Sequence, residues 1–375
     1  MPGAAKPSAP RTVFFGTYTD ERPQGAKGVY RARFDPADGR LSRPELAAAA
    51  VHPSFLARHP ARPWLYAVGE TAGDSAQIHA FLETGDGGLR PLNSETIPAA
   101  GPCHLCVCAD AGPNAAPGAV AAACYAGGAV AVLPLLPDGR LGPRPSIQKH
   151  EGRGPHPARQ TAPHAHGVYW RRDPDGAGRL HVPDLGLDAV FRYDLEPADA
   201  VARPPASGRA RYALPAGCGP RHLAFFDSRA GARIYSVNEL DATVCVLADG
   251  GRDGDPPMQT LSSLPDGVDA DACGNASGEI ALHPDGRWLY VSNRGHDSLT
   301  RFDVDPADGR LARRETTPAG GRHPRSFAIS PCGNWMIVAH RDDDSLAVFR
   351  VEPDGRPTPA GPRLSLGKPV CVLFA

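Results

Sequence analysis

One phrase recurs about every fifty residues along this chain of 375 residues, and it limits the possible folds more than any other feature. Its clearest copies are GPRHLAFFDSRAGARIYSVNELDATVCVL (219–247), SGEIALHPDGRWLYVSNRGHDSLTRFDV (277–304) and HPRSFAISPCGNWMIVAHRDDDSLAVFRV (323–351). Each holds a short alternating strand, a turn and a second strand of the Tyr-Val-Ser-Asn kind, and ends near an Asp-Gly-Arg turn. Period-2 alternation with β-branched and aromatic residues marks half-buried strands. Asp-Gly at a two-residue connection suits a hairpin whose central residues need positive φ. No capped amphipathic segment of helical length breaks the pattern. Units of this size bury their faces only by stacking on one another, in a solenoid or a closed ring.

Seven openings of the repeat fall near His52, Pro102, Pro163, Pro220, Ser277, Pro324 and Pro369. Seven units of about four short strands predict an all-β fold, a seven-bladed β-propeller. The ends predict how it closes. RTVFFGTYTD, from Arg11, resembles a second strand with no first strand before it. KPVCVLFA, at the other end, resembles a first strand with nothing after it. Pairing the C-terminal strand with the N-terminal blade removes two exposed edges. Residues 11–375 are therefore expected to form one domain, with residues 1–10, rich in Ala and Pro, as a disordered lead-in.

Lys plus Arg number 40 and Asp plus Glu 41, a balance that argues against nucleic-acid binding through bulk charge. Nowhere do eighteen apolar residues run together, so no membrane span is expected. The first ten residues lack the apolar core of a secretory signal. The nine cysteines include Cys103, Cys106 and Cys108. Strand alternation puts Cys103 on the opposite face from the other two, so buried free thiols in a cytoplasmic protein are expected, with no metal and no cofactor. A monomer or weak homo-oligomer is expected.

In a propeller the first strand of each blade lines the central channel. The residue after each opening proline, or its equivalent, is Ser54, Cys103, His164, Arg221, Gly278, Arg325 or Val370. Two residues on stand Leu56, Leu105, His166, Leu223, Ile280, Phe327 and Val372, expected to plug the channel except at His166. His104 is expected to face away from it. Second strands end at Glu70, Leu185, Glu239, Arg294 and Arg341, with Asn238 and Asn293 just before two of these. One rim should therefore gather His164, His166, Arg221, Glu239, Arg294, Arg325 and Arg341, with Glu70, Asn238 and Asn293 nearby. A polar ring at a channel mouth suits a small-molecule pocket, and four arginines suit an anionic ligand. The simpler alternatives are that Asn238 and Asn293 cap turns, that Glu239 and Arg294 form a plain ion pair, and that Asp184, Asp188, Asp241 and Asp297 shape turns. The long connection 143–162 runs straight into the histidines and is expected to serve the site; that over 249–276 is also Gly/Pro/polar-rich.

The motifs FFGTYTDE, RQTAPHAHGVYW (159–170), VPDLGLDAVFRY (182–193), GCGPRHLAFF (217–226), IYSVNELDATVCVL (234–247) and LYVSNRGHDSL (289–299) resemble, in this order, the seven-bladed propeller lactonase family. That family includes bacterial 6-phosphogluconolactonases and is similar to propeller-type carboxymuconate cyclases. The resemblance runs over nearly the whole chain from Arg11. It implies hydrolysis of a sugar lactone, 6-phosphogluconolactone by default, with active-site positions at His164 or His166, Arg221, Glu239 and Arg294. The Ala- and Cys-rich blade at 101–141 departs from the family pattern. Lactone hydrolysis needs a base to activate water and a cation for the oxyanion. Glu239, His164 or His166 is the base under this reading. Arg221 and Arg294 take the oxyanion and the anionic group, and Arg325 and Arg341 widen the anion site. No G-x-S-x-G elbow is present, which disfavours an acyl-enzyme. The rivals are a cyclase acting on a muconate-type dicarboxylate, a metal-dependent lactonase using Glu70, Asn238 or Asp184, and a non-catalytic binding scaffold.

Overall fold

Every regular element among the described residues is a β-strand, and the strands fall into seven antiparallel sheets. The computed structural model describes residues 10–375 except 24, 74–75, 111, 113–115, 174–175, 205–209 and 251–253. The expected lead-in, save Pro10, lies outside the described residues. The innermost strands are Leu56–Arg58, Pro102–Cys108, Tyr169–Arg172, Pro220–Ser228, Ala276–Leu282, Pro324–Ile329 and Pro369–Phe374. They open blades 1 to 7 of a β-propeller. Pro369–Phe374 pairs with Arg11–Thr17, from Val13 opposite Phe374 to Thr17 opposite Pro369, so the C-terminal strand completes the N-terminal blade. The two long connections each supply the outermost strand of a blade, Ser146–Lys149 and Gln259–Ser262.

Second strands such as Trp64–Gly69, Ala119–Cys124 and Trp335–His340 are buried at every residue. They are flanked by strands on both edges and packed on both faces, which is why they read as nearly unbroken apolar runs. Seven apolar clusters result, one at each junction between neighbouring blades. The recurring phrase fastens these junctions. The Tyr66, Tyr235 and Tyr290 hydroxyls donate to the carbonyls of Gly139, Gly309 and Gly355 in the Asp-Gly-Arg turn of the next blade. Gly355 has φ +84° and a Cβ there would sit 2.5 Å from the Trp288 ring, so the turn needs glycine on both counts.

The channel differs from the expectation. Leu56, Leu105, Leu223, Ile280, Phe327 and Val372 belong to the clusters between blades rather than to a central plug. For the last five of these the cause is a β-bulge in the inner strand. Register shifts place one extra residue after the opening position in five blades: Cys103, Arg221, Gly278 or Glu279, Arg325 and Val370. One extra residue reverses the alternation beyond it. His104, expected to face away, instead lies against Phe55, Tyr169 and His222 from three other blades, with ring centroids 3.9, 4.8 and 5.0 Å apart.

Candidate active site

The bulged residues and the ends of the second strands meet at one rim. Tyr18, Glu70, Tyr125, Glu239 and Arg341 follow second strands. Each donates its backbone N–H to the carbonyl just before its own blade's opening proline: Lys368, His52, Gly101, Gly219 and His323 respectively. This shared bond holds the five at one level of the ring. The bulge turns Arg221 and Arg325 out of the blade packing toward the same level.

Glu239 is the centre. Its Oε2 accepts from Arg294 Nη2 at 2.6 Å and from Arg221 Nε at 3.1 Å, and its Oε1 accepts from Arg159 Nη2 at 2.6 Å. His166 Nε2 lies 3.7 Å from Oε2. Burial alone would raise the Glu239 pKa, but Arg294, Arg221 and Arg159 together hold it well below the usual carboxylate range. Burial, reinforced by Arg221, drives His166 well below the ordinary histidine value, so its ring is neutral. Burial lowers Arg294 to about 9, still protonated at neutral pH.

His164 is differently placed. It is half-buried, and its ring stacks on Tyr125 with centroids 4.4 Å apart. Its Nδ1 lies 2.9 Å from the Tyr125 carbonyl, which can only accept, so Nδ1 carries a proton and the neutral form of the ring presents its lone pair at Nε2. Its backbone N–H is held by Asp184 Oδ1, whose other oxygen takes His150 Nδ1. A second branch joins Arg325, whose Nη2 donates to the Tyr18 hydroxyl at 2.8 Å. That hydroxyl bonds Glu70, which also receives the Ser54 hydroxyl. Arg325 acts electrostatically on Arg294 and Glu239, so the two branches share one field.

Residues 12–374 match the family described as Lactonase, 7-bladed beta-propeller. The chain belongs to the seven-bladed β-propeller lactonase family. The lactonase is 33% identical over 315 residues to a Bacillus subtilis protein named 6-phosphogluconolactonase, covering 84% of this chain and 83% of that one. It is also similar to the Pseudomonas aeruginosa periplasmic gluconolactonase PpgL, at 32% identity, covering 98% and 99% of the two chains with a TM-score of 0.85. Membership makes it a lactone hydrolase, that is, a carboxylic-ester hydrolase. Among the described residues no helix is long and apolar enough to cross a membrane.

The rim of the lactonase brings together His164, His166, Arg221, Glu239 and Arg294, with Arg325 and Glu70 on the second branch. Three expected members stand apart. Asn238 donates to Thr243 and Cys245 and accepts from Ser236, all within its own blade. Asn293 is likewise occupied by Ser263, Ser298 and Thr300. Both are buried hairpin fasteners. Arg341 pairs with the adjacent Asp342 at 2.6 Å and reaches His323, outside the Glu239 cluster. Asp188 and Asp297 shape turns as expected, both at positive φ, and each accepts from the backbone ahead of the next blade. Asp184 holds His164, Glu70 holds Tyr18 and Asn238 holds its hairpin, so these three oxygen donors have separate partners. All nine cysteines are free thiols.

Four residues of the site escaped the sequence reading. Tyr18 and Tyr125 occupy the same station as Glu70 and Glu239, and extending that alignment to the remaining two blades would have found them. Arg159 lies on a connection with no strand register to align. His222 sits beside Arg221, with Nδ1 2.8 Å from Glu279 Oε1, and the bulge hid its position.

Proposed function

We propose that this protein hydrolyses a sugar lactone that carries an anionic group, with 6-phosphogluconolactone as the leading candidate. The convergence of arginines on a single buried carboxylate carries this reading. Arg159, Arg221, Arg294 and Arg325 stand against Glu239 and Glu70, four positive charges to two negative, which leaves an excess of two. Such an excess in a buried site favours an anionic ligand. The names of the Bacillus and Pseudomonas relatives support a sugar lactone.

In the mechanism we favour, His164 is the base. Its Nε2 takes a proton from water as the oxygen attacks the lactone carbonyl, and Arg221 and Arg294 stabilise the oxyanion. Collapse breaks the ring C–O bond, and the proton on Nε2 passes to the departing ring oxygen. The products are a carboxylic acid, which ionises, and a hydroxyl. Glu239 is a poor base because three guanidiniums hold it ionised. Its role is to fix two of them before substrate arrives, so that no reorganisation is needed in the transition state.

The test is hydrolysis of freshly generated 6-phosphogluconolactone against its spontaneous opening, with and without chelator. Saturable turnover that survives chelator and falls about 10²–10³-fold in Arg221→Ala is expected. Turnover no faster than the spontaneous reaction would sink the reading and move attention to muconates and unphosphorylated lactones.

A further inference from the structure

Arg159 differs in kind from the arginines it joins. Arg221 and Arg294 leave 3% and 6% of their side chains exposed, whereas Arg159 leaves 40%. It comes from the connection between blades 2 and 3 rather than from a blade. The backbone beneath it is firmly held. Gln160 is fully buried and donates to the Leu185 carbonyl at 2.8 Å and to Asp188 Oδ1 at 2.7 Å, while its own Oε1 accepts from the His156 N–H. His156 Nδ1 in turn accepts from the Arg159 N–H at 3.1 Å. A fixed base thus carries an arm with two polar contacts, to Glu239 Oε1 and to the Tyr125 hydroxyl at 3.3 Å.

The two oxygens of Glu239 divide the work. Oε2 serves Arg221 and Arg294, which are buried and also tied to backbone carbonyls at Gly278, Ala276 and Ser277. Among the described residues Oε1 serves Arg159 alone. An anion entering from solvent meets the exposed guanidinium first, and Arg159 can exchange one carboxylate oxygen for it without disturbing the buried pairs. A phosphate offers that guanidinium two oxygens at once, which Glu239 does not.

We infer that Arg159 is the specificity-determining residue of this site: it leaves Glu239 Oε1 for the phosphate of a phosphorylated lactone and so selects phosphorylated over neutral lactones. This rests on the reading of the rim as a lactone site. The same swing uncovers Oε1 only in the presence of a charged substrate, so the ligand itself opens the site.

The experiment compares wild type, Arg159→Ala and Arg159→Lys on 6-phosphogluconolactone and on unphosphorylated gluconolactone, with calorimetric titration of 6-phosphogluconate and gluconate. Arg159→Ala is expected to raise KM for the phosphorylated lactone at least tenfold more than for the neutral one. It should weaken 6-phosphogluconate binding by a similar factor, and Arg159→Lys should recover part of both. Equal losses on the two lactones would make Arg159 a general structural or catalytic group and overturn the inference, as would no loss on either. If wild type hydrolyses neither lactone, the lactone reading fails. The titrations then decide the arm separately: 6-phosphogluconate binding that weakens tenfold in Arg159→Ala sustains it, and unchanged or absent binding ends it.

Discussion

Glu239 and Glu279 are acids of neighbouring blades in the field of the same arginine, Arg221, and their pKa values are pushed in opposite directions. Glu239 receives three guanidiniums directly, and these overcome burial and keep it ionised. Glu279 meets the His222 ring and its own Ile280 N–H, and there burial wins over the more distant Arg221 and raises its pKa. Desolvation acts on both. Direct, hydrogen-bonded charge decides the direction: with it the carboxyl pKa falls, and without it burial raises the pKa. The site therefore has an upper layer built for fixed charge and a lower one, of His104, His222 and Glu279, in which burial works against charge.

The largest test of this contrast is Glu239→Gln. Removing one partner of a buried ion pair strands the others, so unfolding free energy should fall by about 3–5 kcal/mol, read from denaturant midpoints. In wild type the Glu239 contribution is present above the ordinary carboxylate range, because its folded pKa is depressed. It is lost only as pH falls through that low folded value, and this acid dependence should vanish in the variant. A change within about 1 kcal/mol would mean that the arginines do not depend on Glu239. Next in size, His164→Ala should lower kcat at least about 100-fold, roughly 2.7 kcal/mol of barrier, with folding intact. Retained turnover there would return the role of base to Glu239 or His166. The smallest effect belongs to Glu279→Gln, which keeps an acceptor for His222 and should cost less than about 1 kcal/mol at pH 7. The sign is opposite to that of Glu239. A raised folded pKa gives stability present at low pH and lost as pH rises through the raised value, so the variant should gain on wild type toward alkaline pH. A large loss at neutral pH would show Glu279 to be a second obligate anion and erase the contrast.

The ring was legible because its fastening is local in sequence. The Asp-Gly-Arg turn, the Trp-Leu-Tyr strand and the opening proline each leave a signature at a fixed offset, and the unpaired strand at each end announced the closure. Arg221, Glu239 and Arg294 were legible for the same reason, since they occupy stations of the repeat. The bulge was not legible. One extra residue in an inner strand changes no composition and no spacing between turns, yet it moved five apolar residues from an expected plug to the blade junctions and brought His104 to the centre. Asn238 and Asn293 sit at the right level but are occupied by their own hairpins and, for Asn293, by Ser263 of the preceding connection, which spacing alone does not reveal. Arg159 comes from a connection whose path is set by Gln160 and His156, and no periodicity points to it.

Closure of the ring also sets when the site comes into being. Tyr18 stands just after the first strand, but its backbone is tied to Lys368 and its hydroxyl to Arg325, near the other end of the chain. During synthesis the N-terminal strands of blade 7 wait for a partner made last, and contacts of such sequence separation form late. The second branch of the rim is therefore finished late: Tyr18, Ser54 and Glu70 are made early, but Arg325 and the Lys368 carbonyl that fix Tyr18 are made near the end, and a C-terminally clipped chain lacks that anchor.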